Sequence, residues 1–251
     1  MTIITNRRKL LAGMAGGLLL PGCDSWSRSE SFKNVLSSAE DLSRVSQRLV
    51  GGRNGLAREY TLADLSPRHR MNGNRTADTS AYRTMLANNF ATYRLRIDGL
   101  VERPLAIPLD RLRAMPQRTQ ITRHDCVEGW SAIGQWTGVQ LSHLLDLAGL
   151  SEQANYIVFH CADSFGDTPY YESIDMVDAL HPQTIMSHAM NGEPLPEGHG
   201  APIRARIERQ LGYKHAKFVM RIEAVESLDD IYGGKGGYWE DVGDYAWYAG
   251  I

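Results

Sequence analysis

Cys126 stands between Asp125 and Glu128 in the run 121–136, ITRHDCVEGWSAIGQW, with Gly129, Trp130, Gly134 and Trp136 close behind. Glycines and tryptophans at this density suit a close-packed loop better than the interior of a helix or strand. A sulfur held there has four chemistries open to it: nucleophile, half of a disulfide, soft metal ligand, or plain buried thiol. Two later stretches place basic groups among turn residues. Residues 191–204, NGEPLPEGHGAPIR, deliver His199 and Arg204 into a strand-like segment, and residues 211–217, LGYKHAK, gather Lys214, His215 and Lys217 around Gly212. An arginine fork beside glycines that let backbone N–H groups approach suits an anion; solvated surface charges are the competing reading.

Composition narrows the field. With 251 residues, 43% hydrophobic and 22% charged, the chain is long enough for one large or two small globular domains. A net charge of −2 gives no reason to expect a nucleic-acid partner. Three cysteines without a CxxC or Cys/His spacing make neither a disulfide scaffold nor a zinc site. At the N-terminus, Arg7-Arg8 precedes an apolar run, 10–20, that is too short and Gly-rich to span a bilayer. Residues 1–23 therefore read as a twin-arginine export signal for the periplasm, a route that carries proteins already folded around a cofactor. Residues 20–23, LPGC, resemble a lipoprotein cleavage box that would acylate Cys23, with Pro21 a departure.

These groups must be positioned by the elements between them. Residues 24–81 form a polar arm with a short amphipathic helix over 32–50 (Val35, Leu42, Val45, Leu49), and its Arg68-His69-Arg70 cluster reads as a solvated face. From Tyr82 the texture becomes that of a core domain. Residues 93–101 alternate as a strand entering a hairpin at Asp98-Gly99, and 108–112 start a short helix. Residues 139–150 have helical spacing and a Gly stop, 157–160 form a buried strand, and 170–174 lead into a helix over 175–180. Residues 185–190, 201–206 and 217–222 read as further strands. Short strands, short helices and long loops without a βαβ repeat give an α+β class with mixed sheets. The tail, 228–251, is rich in Gly and in the aromatics Tyr238, Trp239, Tyr245, Trp247 and Tyr248, and reads as a coat docked on the domain.

RHDCVEGW, MNGEPLPEGHGAPIR and LGYKHAKFVMRIE, in this order and at these separations, resemble the molybdopterin-binding core of the sulfite oxidase superfamily. The likeness covers about 82–227 and is closer to the periplasmic branch of protein-methionine-sulfoxide reductase catalytic subunits. It implies the sulfite-oxidase-type molybdopterin-binding fold and a molybdenum-molybdopterin cofactor with Cys126 as its one protein thiolate. It places Asn88 and Asn89 on the pterin, Cys161 near the cofactor, His199 and Arg204 holding it, and His215, Ala216 and Lys217 facing its phosphate. His124, Asp125, Glu128 and Trp130, flanking the metal ligand, become candidates for the surrounding pocket. Ala91 and Thr92 replace a Tyr-Glu pair of the reductase branch, Cys161 a threonine and His199 an asparagine, which touches the substrate more than the cofactor. The implied activity is two-electron oxygen-atom transfer at a Cys-ligated molybdenum-oxo centre, on a small sulfoxide or sulfite or on protein methionine sulfoxide. Electrons would be exchanged with a separate haem protein or quinone-linked membrane subunit, because no haem-attachment motif is visible. Without the immunoglobulin-like dimerisation domain of sulfite oxidases, the expected state is a monomer. The alternative from another class is an exported binding or scaffold protein that keeps this fold without the metal.

Overall fold

The computed structural model describes residues 29–52 and 54–251, with the side chains of 30–37 and 41 left out; the export signal and Cys23 lie outside the described residues. Helix α1, Glu30–Gly51, is longer than the sequence pattern indicates, and its Leu42, Val45 and Leu49 are exposed, so the amphipathic stripe is not a core face. The chain divides into two compact units, one ending at Gln47 and a larger one, Arg48–Ile251. All strands of the described residues belong to the larger unit.

After α2 (Ser80–Ala87) come β1 (Arg94–Gly99), β2 (Leu105–Pro108), α3 (Leu109–Ala114), β3 (Arg118–Cys126), β4 (Trp130–Gln140) and α4 (Leu141–Ala148). The chain continues through β5 (Tyr156–Phe165), β6 (Thr168–Asp175), α5 (Met176–Ala179), β7 (Ile185–Met190), β8 (Glu193–Pro194), β9 (Arg204–Arg206), β10 (Val219–Val225) and α6 (Tyr238–Gly243). One sheet runs β2-β1-β10-β5-β6, with β1 and β10 parallel and the other neighbours antiparallel. The other runs β3-β4-β7-β8, with β9 also on β7. This is the mixed-sheet α+β architecture that the residue texture points to.

The core forms where apolar alternation is clean. Leu95 and Ile97 of β1, Ile157 and Phe159 of β5 and Ile222 of β10 share one buried cluster with Val139, Met186 and Ile203 around the second sheet and Leu141, Leu144 and Leu145 of α4. Helix α4 ends at Gly149, whose φ of +69° is the left-handed stop that glycine takes without steric cost. It begins two residues later than its apolar spacing indicates, because Val139 and Gln140 pair with β7.

The larger correction concerns residues 121–136. They are two paired strands and not a loop: Cys126 pairs with Trp130 across a turn of three residues, 127–129. The buried face of β3 is Gln120, Thr122, His124 and Cys126, so its period of two is carried mostly by polar side chains and escapes a hydrophobicity reading. Residues 59 and 60 lie along this strand, with Tyr60 N–H donating to Ile121 O at 2.8 Å and a bridge between Glu59 and Thr122.

Candidate functional site

Cys126 closes β3, is 7% exposed, and accepts a hydrogen bond on sulfur from the Glu128 N–H. That bond favours the thiolate, but burial outweighs it and holds the thiol above its ordinary value. A cysteine in this state is no self-activated nucleophile. Cys126 and Cys161 are both free, which removes a disulfide between them. A soft metal that displaces the thiol proton remains consistent with the site.

Behind the sulfur, Arg206 Nη1 donates to His124 Nδ1 at 2.9 Å, so the neutral ring carries its proton on Nε2. Arg206 is itself fixed by Glu208 at 2.6 Å and lies over the Trp136 ring. His124 Nε2 points to Gly212, where an added Cβ would sit 2.5 Å away. His215 donates from Nε2 to Gln210 O at 3.0 Å, which leaves Nδ1 as a bare lone pair. Burial, with Arg206 nearby, keeps both histidines far below the usual imidazole value and therefore neutral.

Arg204 and Lys217 are buried cations whose hydrogen bonds go to carbonyls. Arg204 donates to His199 O at 3.1 Å and His215 O at 3.4 Å; Lys217 donates to Gly198 O at 3.0 Å and to Asn74 O. Among the described residues neither has a carboxylate within ion-pair distance. Burial, with repulsion from Arg206, lowers Arg204 to about 9, and burial, with repulsion from Arg204, lowers Lys217 to about 7. Buried charge left like this is costly, and a bound polyanion would offset it. Seven buried polar atoms in the same region have no hydrogen-bond partner: His69 Nε2, His124 Nε2, Trp136 Nε1, Asp163 Oδ1, His199 Nδ1, Arg204 Nε and His215 Nδ1. Native interiors leave few such atoms, and their concentration here fits an anionic ligand rich in hydrogen-bonding groups, as a pterin bearing a phosphate is.

A cleft of about 680 Å³, open mouth included, brings Cys126, His215 and Lys217 together. His199 and Arg204 are not among its lining residues: Arg204 adjoins it through His215, whose carbonyl it reaches at 3.4 Å, and lies over Trp136, while the His69 ring lies 5.3 Å from both His199 and Trp136. Ala216 is buried behind the cleft, its carbonyl accepting from Ala205 N–H at 2.8 Å. The structure does not bring Asn88 and Asn89 to this cleft. Asn88 ends α2 and bonds Thr92 and Ala91, while Asn89 borders separate hollows beside Arg113. Cys161 packs against the main core, with burial and Asp163 raising its thiol well above normal. Of the flanking candidates Glu128 lines the cleft, while Trp130 binds Glu128 and Asp125 binds Ser131 and Arg123.

Sequence reasoning missed several neighbours. Asn72, Asn74 and Asp163 line the cleft, as do Tyr213, Trp239 and Tyr245. His69 is no part of a solvated face; its ring sits among His124, Trp130, Trp136 and His199, although Arg68 and Arg70 beside it are exposed. Lys214 faces away from the cleft into a pair of carboxylates. Burial raises the Asp163 carboxyl to about 6.

Comparisons with known proteins decide the family. The model of the oxidoreductase molybdopterin binding domain matches residues 83–232. The chain belongs to that family. Its domain is one that binds the molybdenum-molybdopterin cofactor. A putative protein-methionine-sulfoxide reductase subunit YedZ1 of Azospira oryzae is 45% identical over 160 residues, which are 64% of this chain and 56% of that protein. The chain thus spans little more than half of that relative. A protein-methionine-sulfoxide reductase catalytic subunit MsrP of Xanthomonas campestris is 26% identical over 243 residues, 91% of this chain and 72% of that protein. Among solved structures, the sulfane dehydrogenase SoxCD of Paracoccus pantotrophus aligns at 26% identity and a TM-score of 0.49, over 57% of this chain and 41% of that one. No helix among the described residues is long and apolar enough to cross a membrane.

Proposed function

We propose that this protein is a molybdopterin-dependent reductase of the bacterial cell envelope that removes oxygen from methionine sulfoxide. The observation that carries the reading is the meeting, around Cys126, of two buried cations without carboxylate partners and a cluster of unpartnered polar atoms. In this reading Cys126 ligates molybdenum, and Arg204 and Lys217 hold the phosphate of the pterin. His199 and His215 supply ring nitrogens to it, and Ala216 keeps the backbone between His215 and Lys217 in place. Asn88, Asn89 and Cys161, which lie away from the cleft, would reach the cofactor only at its periphery. When bound, the molybdenum centre supplies the two-electron oxygen-atom transfer, for which sulfoxide reduction consumes two electrons and two protons and releases a thioether and water.

The chain's own residues exclude water and orient the ligands. Arg206 fixes the His124 ring, and the arm residues Asn72 and Asn74 cover the cleft by bonding Gly212 O and Asp163. Residues 82–227 then form the catalytic domain, with 24–81 as a polar N-terminal arm and 228–251 as a tail packed on the domain. Export is supported by Arg7-Arg8 ahead of the apolar run, and Cys23 is the candidate lipid anchor. The relatives are named as subunits, which supports a separate electron donor, a haem protein or a quinone-linked membrane subunit. Protein made through the export pathway should contain about one molybdenum per chain, and Cys126→Ser should lose it. Reduced-dye turnover should be seen with methionine sulfoxide and not with sulfite as reductant of an oxidised dye. A metal-free native protein would sink the reading and leave an exported binding domain.

A further inference from the structure

The tail residues Trp239 and Tyr245 line the same cleft as Cys126, although the sequence motifs shared with the family lie elsewhere. Helix α6 explains how they get there. Glu240 is 1% exposed and is drawn inward by Lys214 Nζ at 2.5 Å, while Asp241 accepts from Gly233 N–H at 2.9 Å and Lys235 N–H at 3.0 Å. With Glu240 anchored on the inner side, the neighbouring Trp239 is turned to the cleft. There it stacks on Tyr245 at 5.6 Å and meets the edge of Phe165 at 5.3 Å; Tyr245 in turn meets Tyr213 at 5.1 Å.

Two of the hydroxyls on this wall are already used, that of Tyr170 by Tyr213 O at 2.8 Å and that of Tyr213 by Ala246 O at 2.6 Å. The wall therefore offers ring faces and edges more than hydrogen bonds. The acidic side chains on the same cleft are Glu128 and Asp163, and Lys217, the cation in its lining, is taken up by the pterin phosphate in the reading above. An anion such as sulfite gains little from rings and is repelled by carboxylates. The methylsulfinyl end of a methionyl sulfoxide is polar but neutral, so it is not repelled by the carboxylates, and its methyl group and polarisable sulfur gain contacts with ring edges.

We propose that Trp239 and Tyr245 form the substrate wall of the cleft and select the methyl-sulfur end of a methionyl sulfoxide over an anionic sulfur oxide. This rests on the sulfoxide-reductase reading and adds the residues that set its specificity.

The test uses molybdenum-loaded protein and N-acetyl-methionine sulfoxide amide as probe, with sulfite as the contrasting ligand. Trp239→Leu and Tyr245→Leu should each raise KM for the probe about tenfold and leave kcat within about twofold. Trp239→Phe should restore most of the loss, and molybdenum content should stay at the native level. Direct titration of the probe by NMR should show the same weakening of binding, while any sulfite affinity stays unchanged. Equal KM and binding in native and both Leu variants, with melting temperature preserved, would overturn the inference. So would loss of molybdenum in Trp239→Phe, which would assign the wall to the pterin. Should Trp239→Leu fail to fold, Tyr245→Leu and Trp239→Phe carry the same comparison. If native holoprotein turns over no sulfoxide at all, the functional reading itself is what fails.

Discussion

Lys214 offers a sharp test of how the tail is held. Its Nζ lies 2.6 Å from Glu172 Oε2 and 2.5 Å from Glu240 Oε1, with all three side chains at most 1% exposed. One buried ammonium serves two carboxylates, so only one of the two acids is neutralised by charge. Burial, and next the repulsion from Glu240, push the Glu172 carboxyl well above its usual range, so Glu172 carries a proton and the triad is neutral. Lys214→Met removes the cation and leaves a carboxylate stranded. Breaking a buried ion pair from one side costs about 3–5 kcal/mol, which in a chain of this size lowers Tm by about 6–20 °C. Glu172→Gln instead keeps the shape and hydrogen bonds of the protonated acid and should cost under about 1 kcal/mol. Urea titrations at pH 7, followed by tryptophan fluorescence, measure both. The linkage adds a sign: an acid whose folded value is raised contributes stability below its unfolded value and loses it as pH rises through the folded one. The Gln variant should therefore gain on the native protein as pH is raised. Equal losses in the Met and Gln variants, or a Met variant within about 1 kcal/mol of native, would refute the neutral triad.

The cleft gives two further expected outcomes. Burial depresses His69 to about 3 and His199 to about 4, so each contributes stability that is whole above pH 6.5 and lost as pH falls through those values. The His69 part is about 1.4 kcal/mol per pH unit below 6.5, with less from the more solvent-open His199; cofactor-free His69→Gln should show a visibly shallower loss between pH 6.5 and 4.5 in urea melts. Gly212→Ala would set a Cβ 2.5 Å from His124 Nε2 and 3.3 Å from Asp125 O, and Arg206 keeps the ring from yielding. A loss of about 1–3 kcal/mol with reduced pterin content is expected, read by melting and by fluorescence of released pterin; native stability and content would count against the fixed ring.

What was legible followed apolar periodicity. Leu95 and Ile97 mark β1, the stripe Leu141, Leu144, Leu145 marks α4, and both are core. Of the candidate site, Cys126, His215 and Lys217 stand out in the sequence as residue types, and the three line one cleft. Lys214 looked like their companion because sequence distance cannot tell which way a side chain faces; its partners Glu172 and Glu240 lie 42 and 26 residues away. His69, read as solvated between Arg68 and Arg70, is decided by rings 55 to 130 residues along the chain.

Strand β3 shows why the rest was hidden and what its disguise means. A strand whose inward positions are Gln120, Thr122, His124 and Cys126 cannot be stabilised by apolar burial, so each inward group must find a polar partner from elsewhere. Gln120 finds Glu208 and the Gln183 carbonyl, while Thr122 and the Nδ1 of His124 both find Arg206. Along the strand these protein partners run out: His124 keeps an unpartnered Nε2, and beyond it Cys126 has only the Glu128 N–H. The polar ladder is complete at the end away from the cleft and open at the cleft, as expected of a strand whose last partner is a ligand and not another side chain.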